Sequence, residues 1–234
     1  MNQTQHDLHT PQIKICGLTL PAEAEACVGL GADAVGCVFF TKSPRHVSRK
    51  QAREICAAVG DRAEVVGVFV NQAPEEVMEI VDACGLTGAQ LHGTESRDDV
   101  TLLMNSGVLV VKALFAERAP FIKDAARYIA DGLLVECGKG NLPGGNALTL
   151  DWRQARDLET KSPLILAGGL NPENVSEAIA AALPDAVDVS SGVEAAPGKK
   201  DLKKVEAFIT SVRRSAEAYP AGRIIRRIFN DNAI

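Results

Sequence analysis

No stretch of this 234-residue chain stays apolar for long. Runs such as 65–70 and 164–167 stop far short of the roughly 20 residues that a helix needs to cross a bilayer, which excludes a membrane-spanning helix. Positive charge is not in excess either. The 25 Lys and Arg against 30 Asp and Glu leave a net charge of −5, so nucleic acid is not the default partner, and the only basic region is the C-terminal tail. The polar first ten residues lack the basic start and apolar stretch of a secretory signal, so a cytoplasmic location is expected. No two of the six cysteines stand close together. The nearest pair, Cys27 and Cys37, is ten positions apart, which rules out a CxxC redox pair and a zinc knuckle and predicts buried, reduced thiols with no metal.

What is present is a repeat of element type. Apolar, strand-like runs bounded by Gly, Pro or Asn begin near Gln12, Ala34, Glu64, Gly88, Gly107, Gly132, Pro163 and Ala186, about 25 residues apart. Between them helical patterns are expected over 21–30, 48–59, 74–84, 96–106, 151–159, 171–183 and 199–212, with a poorly capped one near 118–130. Eight strand-then-helix units with short loops predict a single-domain (β/α)8 TIM barrel over residues 12–212, with an open doubly wound sheet as the alternative. Residues 1–11 are expected to be disordered or loosely packed. In 213–234, Arg213, Arg214, Arg223, Arg226 and Arg227 alternate with Ile224, Ile225, Ile228 and Phe229, a pattern that predicts a short amphipathic helix after Pro220 and Gly222. That extension is expected to cap the barrel, with a subunit contact or a disordered tail as the competing readings.

In such a barrel, chemistry collects where the strands end. The first run closes with Lys14-Ile15-Cys16-Gly17, the fourth with Gln90-Leu91-His92-Gly93 and the sixth with Val135-Glu136-Cys137. After the seventh come Gly168 and Gly169, followed by Asn171-Pro172-Glu173, which predicts a helix start whose free N–H groups suit an anion. After the eighth come Ser190, Ser191 and Gly192. Loops in these two places often form the phosphate site of this barrel class; tight strand-to-helix turns are the plainer reading of the same glycines.

Taken together, Lys14-Ile15-Cys16-Gly17-Leu18, Ser43-Pro44-Arg45-His46-Val47, Gln90-Leu91-His92-Gly93, Leu166-Ala167-Gly168-Gly169-Leu170-Asn171-Pro172 and Asp188-Val189-Ser190-Ser191-Gly192-Val193-Glu194 resemble the phosphoribosylanthranilate isomerases of tryptophan biosynthesis. The resemblance runs from about Ile13 to Val212. It implies a cofactor-free Amadori rearrangement of N-(5′-phosphoribosyl)anthranilate to 1-(2-carboxyphenylamino)-1-deoxyribulose 5-phosphate. The sixth strand end departs from the family pattern. Where the family has Leu-Leu-Asp, whose aspartate is its general acid, this chain has Leu134-Val135-Glu136, and Asn146-Ala147 replaces a Thr-Gly pair in the loop beyond.

That reaction needs an acid at the furanose ring oxygen and a base at the C2′ proton. Glu136 is the candidate acid. Cys16 is the candidate base, provided that nearby positive charge lowers its pKa; an inert buried thiol is the alternative. Alternation places Lys14 on the face of Cys16, and Asp188 on the neighbouring eighth strand is the expected partner of Lys14, either to hold charge beside Cys16 or as a purely structural pair. Arg45 suits the anthranilate carboxylate through a two-point contact, unless it is a solvated surface side chain. His92 is expected beside the substrate, or else as a hydrogen-bonded rim residue. Among rival functions are other sugar-phosphate enzymes on this scaffold and a phosphate-binding barrel without chemistry. The expected partner is a small molecule carrying phosphate and carboxylate, the chain being a monomer or homodimer.

Overall fold

The computed structural model describes residues 9–138, 151–220 and 223–229. Eight parallel strands close into a barrel in sequence order: β1 (Gln12–Cys16), β2 (Ala34–Val38), β3 (Glu64–Phe69), β4 (Gly88–Leu91), β5 (Leu109–Phe115), β6 (Gly132–Glu136), β7 (Leu164–Leu166) and β8 (Ala186–Val189). Closure pairs β1 with β8 in a register that sets Lys14 opposite Asp188. Outside run the helices α1 (Pro21–Leu30), α2 (Arg49–Val59), α3 (Pro74–Cys84), α4 (Arg97–Asn105), α5 (Arg153–Arg156), α6 (Val175–Ala182) and α7 (Leu202–Arg214). A short antiparallel hairpin, β9 (Glu194–Ala196) and β10 (Lys199–Lys200), lies between β8 and α7.

Local chemistry explains the starts. Ser48 and Ser96 open α2 and α4 with reciprocal capping boxes to Gln51 and Asp99, and Asp201 accepts from the Lys203 and Lys204 N–H groups at the start of α7. Each strand divides its side chains between two cores. Ile13, Ile15 and Val35 pack outward against the helices, whereas Ala34, Val66, Val111, Leu134 and Ile165 fill the barrel.

Three expected helices differ. The segment near 118–130 makes only a 3-10 turn at Ile122–Arg127, α5 shrinks to one turn, and α6 begins at Val175 because Asn171 and Asn174 first fold a turn on themselves. The expected helix after Pro220 is also absent: residues 223–229 have no helical structure. Their backbone N–H groups find partners in the barrel instead. Arg226 N–H donates to Asp185, and those of Ile228 and Phe229 donate to Gln12 Oε1, so the bonds that a helix would supply are made across the fold. Ile228 and Phe229 join the interior cluster with Ala34, Val66 and Leu134. Expectations for residues 1–8 and 230–234 lie outside the described residues.

Truncation after Tyr219 should therefore destabilise the barrel without touching its chemistry. Removing buried Ile225, Ile228 and Phe229 forfeits about 2 kcal/mol each, which at about 2–4 °C per kcal/mol lowers the melting temperature by on the order of 10 °C. Calorimetry on the truncated chain checks this; an unchanged melting temperature would mean that the segment contributes nothing to stability.

Candidate active site

The C-terminal ends of the strands bring together side chains scattered from position 14 to position 200. Lys14, on the inward face of β1, is wholly buried, and its Nζ lies 2.9 Å from Asp188 Oδ1. Burial alone would lower the Lys14 pKa, but Asp188 and Cys16 outweigh it and hold the ammonium above its ordinary value. The expected pair thus exists. Its effect on Cys16 differs from the expectation. Burial pushes the Cys16 thiol up, and Lys14 and Lys200 only partly draw it down, with Asp188 adding to the rise. Cys16 is thus held as a thiol, with Lys14 and Lys200 in electrostatic reach. Space for its sulfur comes from Gly36 opposite on β2, where a Cβ would stand 2.7 Å from Cys16 Sγ.

Glu136 closes β6 with its side chain nearly buried, on the inward face shared with Leu134. His92 Nε2 lies 3.4 Å from Glu136 Oε1, and His92 Nδ1 lies 2.9 Å from Gln90 Nε2. His92 Nε2 is buried and makes no hydrogen bond, the Glu136 carboxyl beside it standing too poorly aligned to accept one. Phe115 meets the His92 ring edge-on, while Arg118 lies across the same Phe115 ring at 3.3 Å from its centroid and within electrostatic reach of Glu136. Asn146-Ala147 lies outside the described residues.

The strand-four loop that carries His92 is braced from behind. Lys112, fully buried between barrel and helices, donates to Leu91 O at 3.2 Å, Gly93 O at 2.9 Å and Glu95 Oε2 at 2.7 Å. Glu95 in turn accepts from the Gly93 and Asn71 N–H groups, tying this loop to the one after β3.

Gly168 and Gly169 both take left-handed backbone, and the Asn174 side chain donates to Gly169 O at 2.9 Å. Gly192 presses against the same loop so closely that a Cβ there would come 1.9 Å from Leu170 O, so no other residue fits. Ser190, Ser191 and Gly192 therefore abut the Gly168-Gly169 loop.

Arg45 is not a solvated rim residue. Its Nε and Nη2 make a two-point contact with Glu194, at 2.8 and 2.7 Å, and the guanidinium is nearly buried. Glu194 also accepts from Lys200 Nζ at 2.8 Å, and Lys200 reaches Ser190 O at 3.2 Å. The sequence motifs contained Glu194 but gave no reason to join it to Arg45, 149 positions earlier. Glu95, Lys112, Arg118 and Lys200 were likewise missed; a lysine in the middle of the β5 apolar run was the one local signal that a buried partner must exist.

The family profile described as N-(5′-phosphoribosyl)anthranilate (PRA) isomerase matches residues 13–211. The chain belongs to this family. An N-(5′-phosphoribosyl)anthranilate isomerase of Desulfatibacillum aliphaticivorans is 51% identical over 213 residues, 91% of this chain and 98% of that protein. The crystal structure of the Thermotoga maritima phosphoribosyl anthranilate isomerase superposes with a TM-score of 0.78 at 37% identity, covering 87% of this chain and 99% of that one. A family structure in complex with reduced 1-(o-carboxyphenylamino)-1-deoxyribulose 5-phosphate gives a TM-score of 0.74 at 37% identity, with the same coverage. The chain is accordingly an isomerase of tryptophan biosynthesis that carries out the Amadori rearrangement of N-(5′-phosphoribosyl)anthranilate. Among the described residues no helix is long and apolar enough to cross a membrane.

Proposed function

We infer that Glu136 is the acid and Cys16 the base of this rearrangement. Glu136 protonates the furanose ring oxygen as the C1′–O bond breaks and the anilino nitrogen forms a Schiff base at C1′. Cys16, as thiolate, then removes the C2′ proton. The C–H electrons become a C1′=C2′ double bond, and the iminium nitrogen recovers its lone pair. Ketonisation of this enolamine, in which the C2′ hydroxyl loses its proton to solvent as a proton adds at C1′, gives the aminoketose. The observation that carries the assignment is the placement of both groups, inward and nearly buried, at strand ends around one mouth. Lys14, held by Asp188, lies against Cys16 and stabilises the thiolate once it forms. His92 stands beside the Glu136 carboxyl, with Nε2 3.4 Å from Oε1.

Gly168, Gly169, Ser190, Ser191 and Gly192 hold the phosphate with backbone N–H groups and hydroxyls. The family complex with a reduced analogue of the product, which carries a 5-phosphate, supports a cradle of this chemistry here. Arg45 takes the anthranilate carboxylate. Its contact with Glu194 uses the Nε and Nη2 edge of the fork, and Nη1 lies on the other edge. A cytoplasmic home fits six thiols that are all unpaired, and the chain acts as a monomer or homodimer.

Steady-state turnover, followed by the loss of fluorescence of the anthranilate adduct, tests the reading. Arg45→Ala should raise KM by about 10–100-fold, the worth of a charge-assisted contact, and lower kcat less, because the carboxylate lies away from the reacting carbons. If both constants match those of the wild type, the carboxylate is held elsewhere.

A further inference from the structure

Glu194 is a carboxylate shared by two buried cations at the mouth of the barrel. Its Oε1 receives Arg45 Nε at 2.8 Å, Lys200 Nζ at 2.8 Å and the Gly198 N–H at 3.3 Å, and its Oε2 receives Arg45 Nη2 at 2.7 Å. Burial alone would raise its pKa, but Arg45 and Lys200 outweigh burial and keep it ionised, below the usual carboxylate range. Lys200 differs: its side chain is fully buried, and burial draws its pKa below the ordinary lysine value despite the Glu194 carboxylate.

The path of Arg45 gives this arrangement a direction. The arginine stem crosses directly over Gly17, next in sequence to Cys16. A Cβ on Gly17 would stand 2.5 Å from Arg45 Cδ and 3.0 Å from Ser190 Oγ, and the backbone there is left-handed, at φ +80°, so this crossing needs glycine. A flexible arginine with three or more rotatable bonds would otherwise sample many positions over the mouth. Glu194 removes that freedom by gripping the side edge of the guanidinium. The end edge, Nη1 with the second hydrogen of Nη2, remains for a second carboxylate in the same plane. The hairpin that carries Glu194 is itself locked to the β1 and β2 loops: Thr19 Oγ1 donates to Gly198 O at 2.7 Å, and a Cβ on Gly198 would meet Pro44 O at 3.2 Å.

We propose that Glu194 is a positioning residue that aims Arg45 at the substrate's aromatic carboxylate. This rests on the assignment of Arg45 to the carboxylate. Loss of Glu194 acts through Arg45, not beside it.

A double-mutant cycle in the turnover assay tests this. Glu194→Gln, which keeps the shape and removes the charge, should raise KM by about tenfold or more with a smaller fall in kcat. The same substitution placed in an Arg45→Ala background should raise KM no further. Independent effects that multiply would overturn the proposal, as would an unchanged KM for Glu194→Gln alongside a raised KM for Arg45→Ala. An unchanged KM for Arg45→Ala removes the carboxylate assignment, and this proposal with it. Should the glutamine variant fail to fold, Glu194→Asp carries the test. It keeps a counter-charge for both cations but is too short by one methylene to grip the fork, so a raised KM that vanishes in the Arg45→Ala background supports the proposal, and a wild-type KM overturns it.

Discussion

Cys16→Ala should lower kcat/KM by about 10²–10⁴, the usual contribution of a general base, while the protein melts close to the wild-type temperature. The substitution removes only the sulfur that Gly36 makes room for, so it introduces no clash in the barrel. The pH profile carries a second signature. Because burial holds the Cys16 thiol above its ordinary pKa, the reactive thiolate is the minor form in the free enzyme near neutrality. Raising the pH increases the thiolate fraction, so wild-type kcat/KM should climb toward alkaline pH. That limb should be missing in Cys16→Ala. A variant that keeps more than about half of wild-type kcat would remove Cys16 from the base role altogether.

Glu136→Gln should also lose most activity, because the amide keeps the contact with His92 in shape but has no proton to give the ring oxygen. More informative is Glu136→Asp, which restores the residue that the family shows at this strand end. It withdraws the carboxyl by about one C–C bond, roughly 1.5 Å, and a misplacement of 1 Å can cost about 10² in rate. In this chain the carboxyl meets His92 Nε2 at 3.4 Å, with Arg118 nearby over Phe115, surroundings matched to the longer side chain. Both variants are therefore expected to be slow. A glutamine variant as fast as the wild type would mean that another group donates the proton, and a faster aspartate variant would mean that Glu136 is an impaired replacement.

How much of this could be read from the residues depends on the range of the interactions. The barrel was legible because each β/α unit carries its own signals: a run such as Glu64–Phe69, a Pro74 or Ser96 start, a Gly31 or Gly85 stop. The pair of Lys14 and Asp188 followed from alternation on one strand and closure against another. Arg45 was located but its partner was not, since nothing local joins position 45 to position 194. The rise of the Cys16 pKa was missed for a related reason: its sign is a balance between desolvation and three charges, set by depth in the barrel and not by residue type. In the tail, Ile224, Ile225, Ile228 and Phe229 have helical spacing, yet partners on Gln12 and Asp185 impose an irregular chain.

The contact between Gln12 and Phe229 bears on the order in which the protein can be completed on the ribosome. The Gln12 side chain accepts from the Ile228 and Phe229 N–H groups and donates to Phe229 O at 2.7 Å, across 217 positions of sequence. β1 likewise waits for β8 before Lys14 meets Asp188. Synthesis delivers residues from the N-terminus at about 5–20 per second, so β1 exists for many seconds before either partner emerges. Closure of the barrel thus waits for β8, and the contacts of Gln12 with residues 228 and 229 are added to a barrel whose strands have all been made.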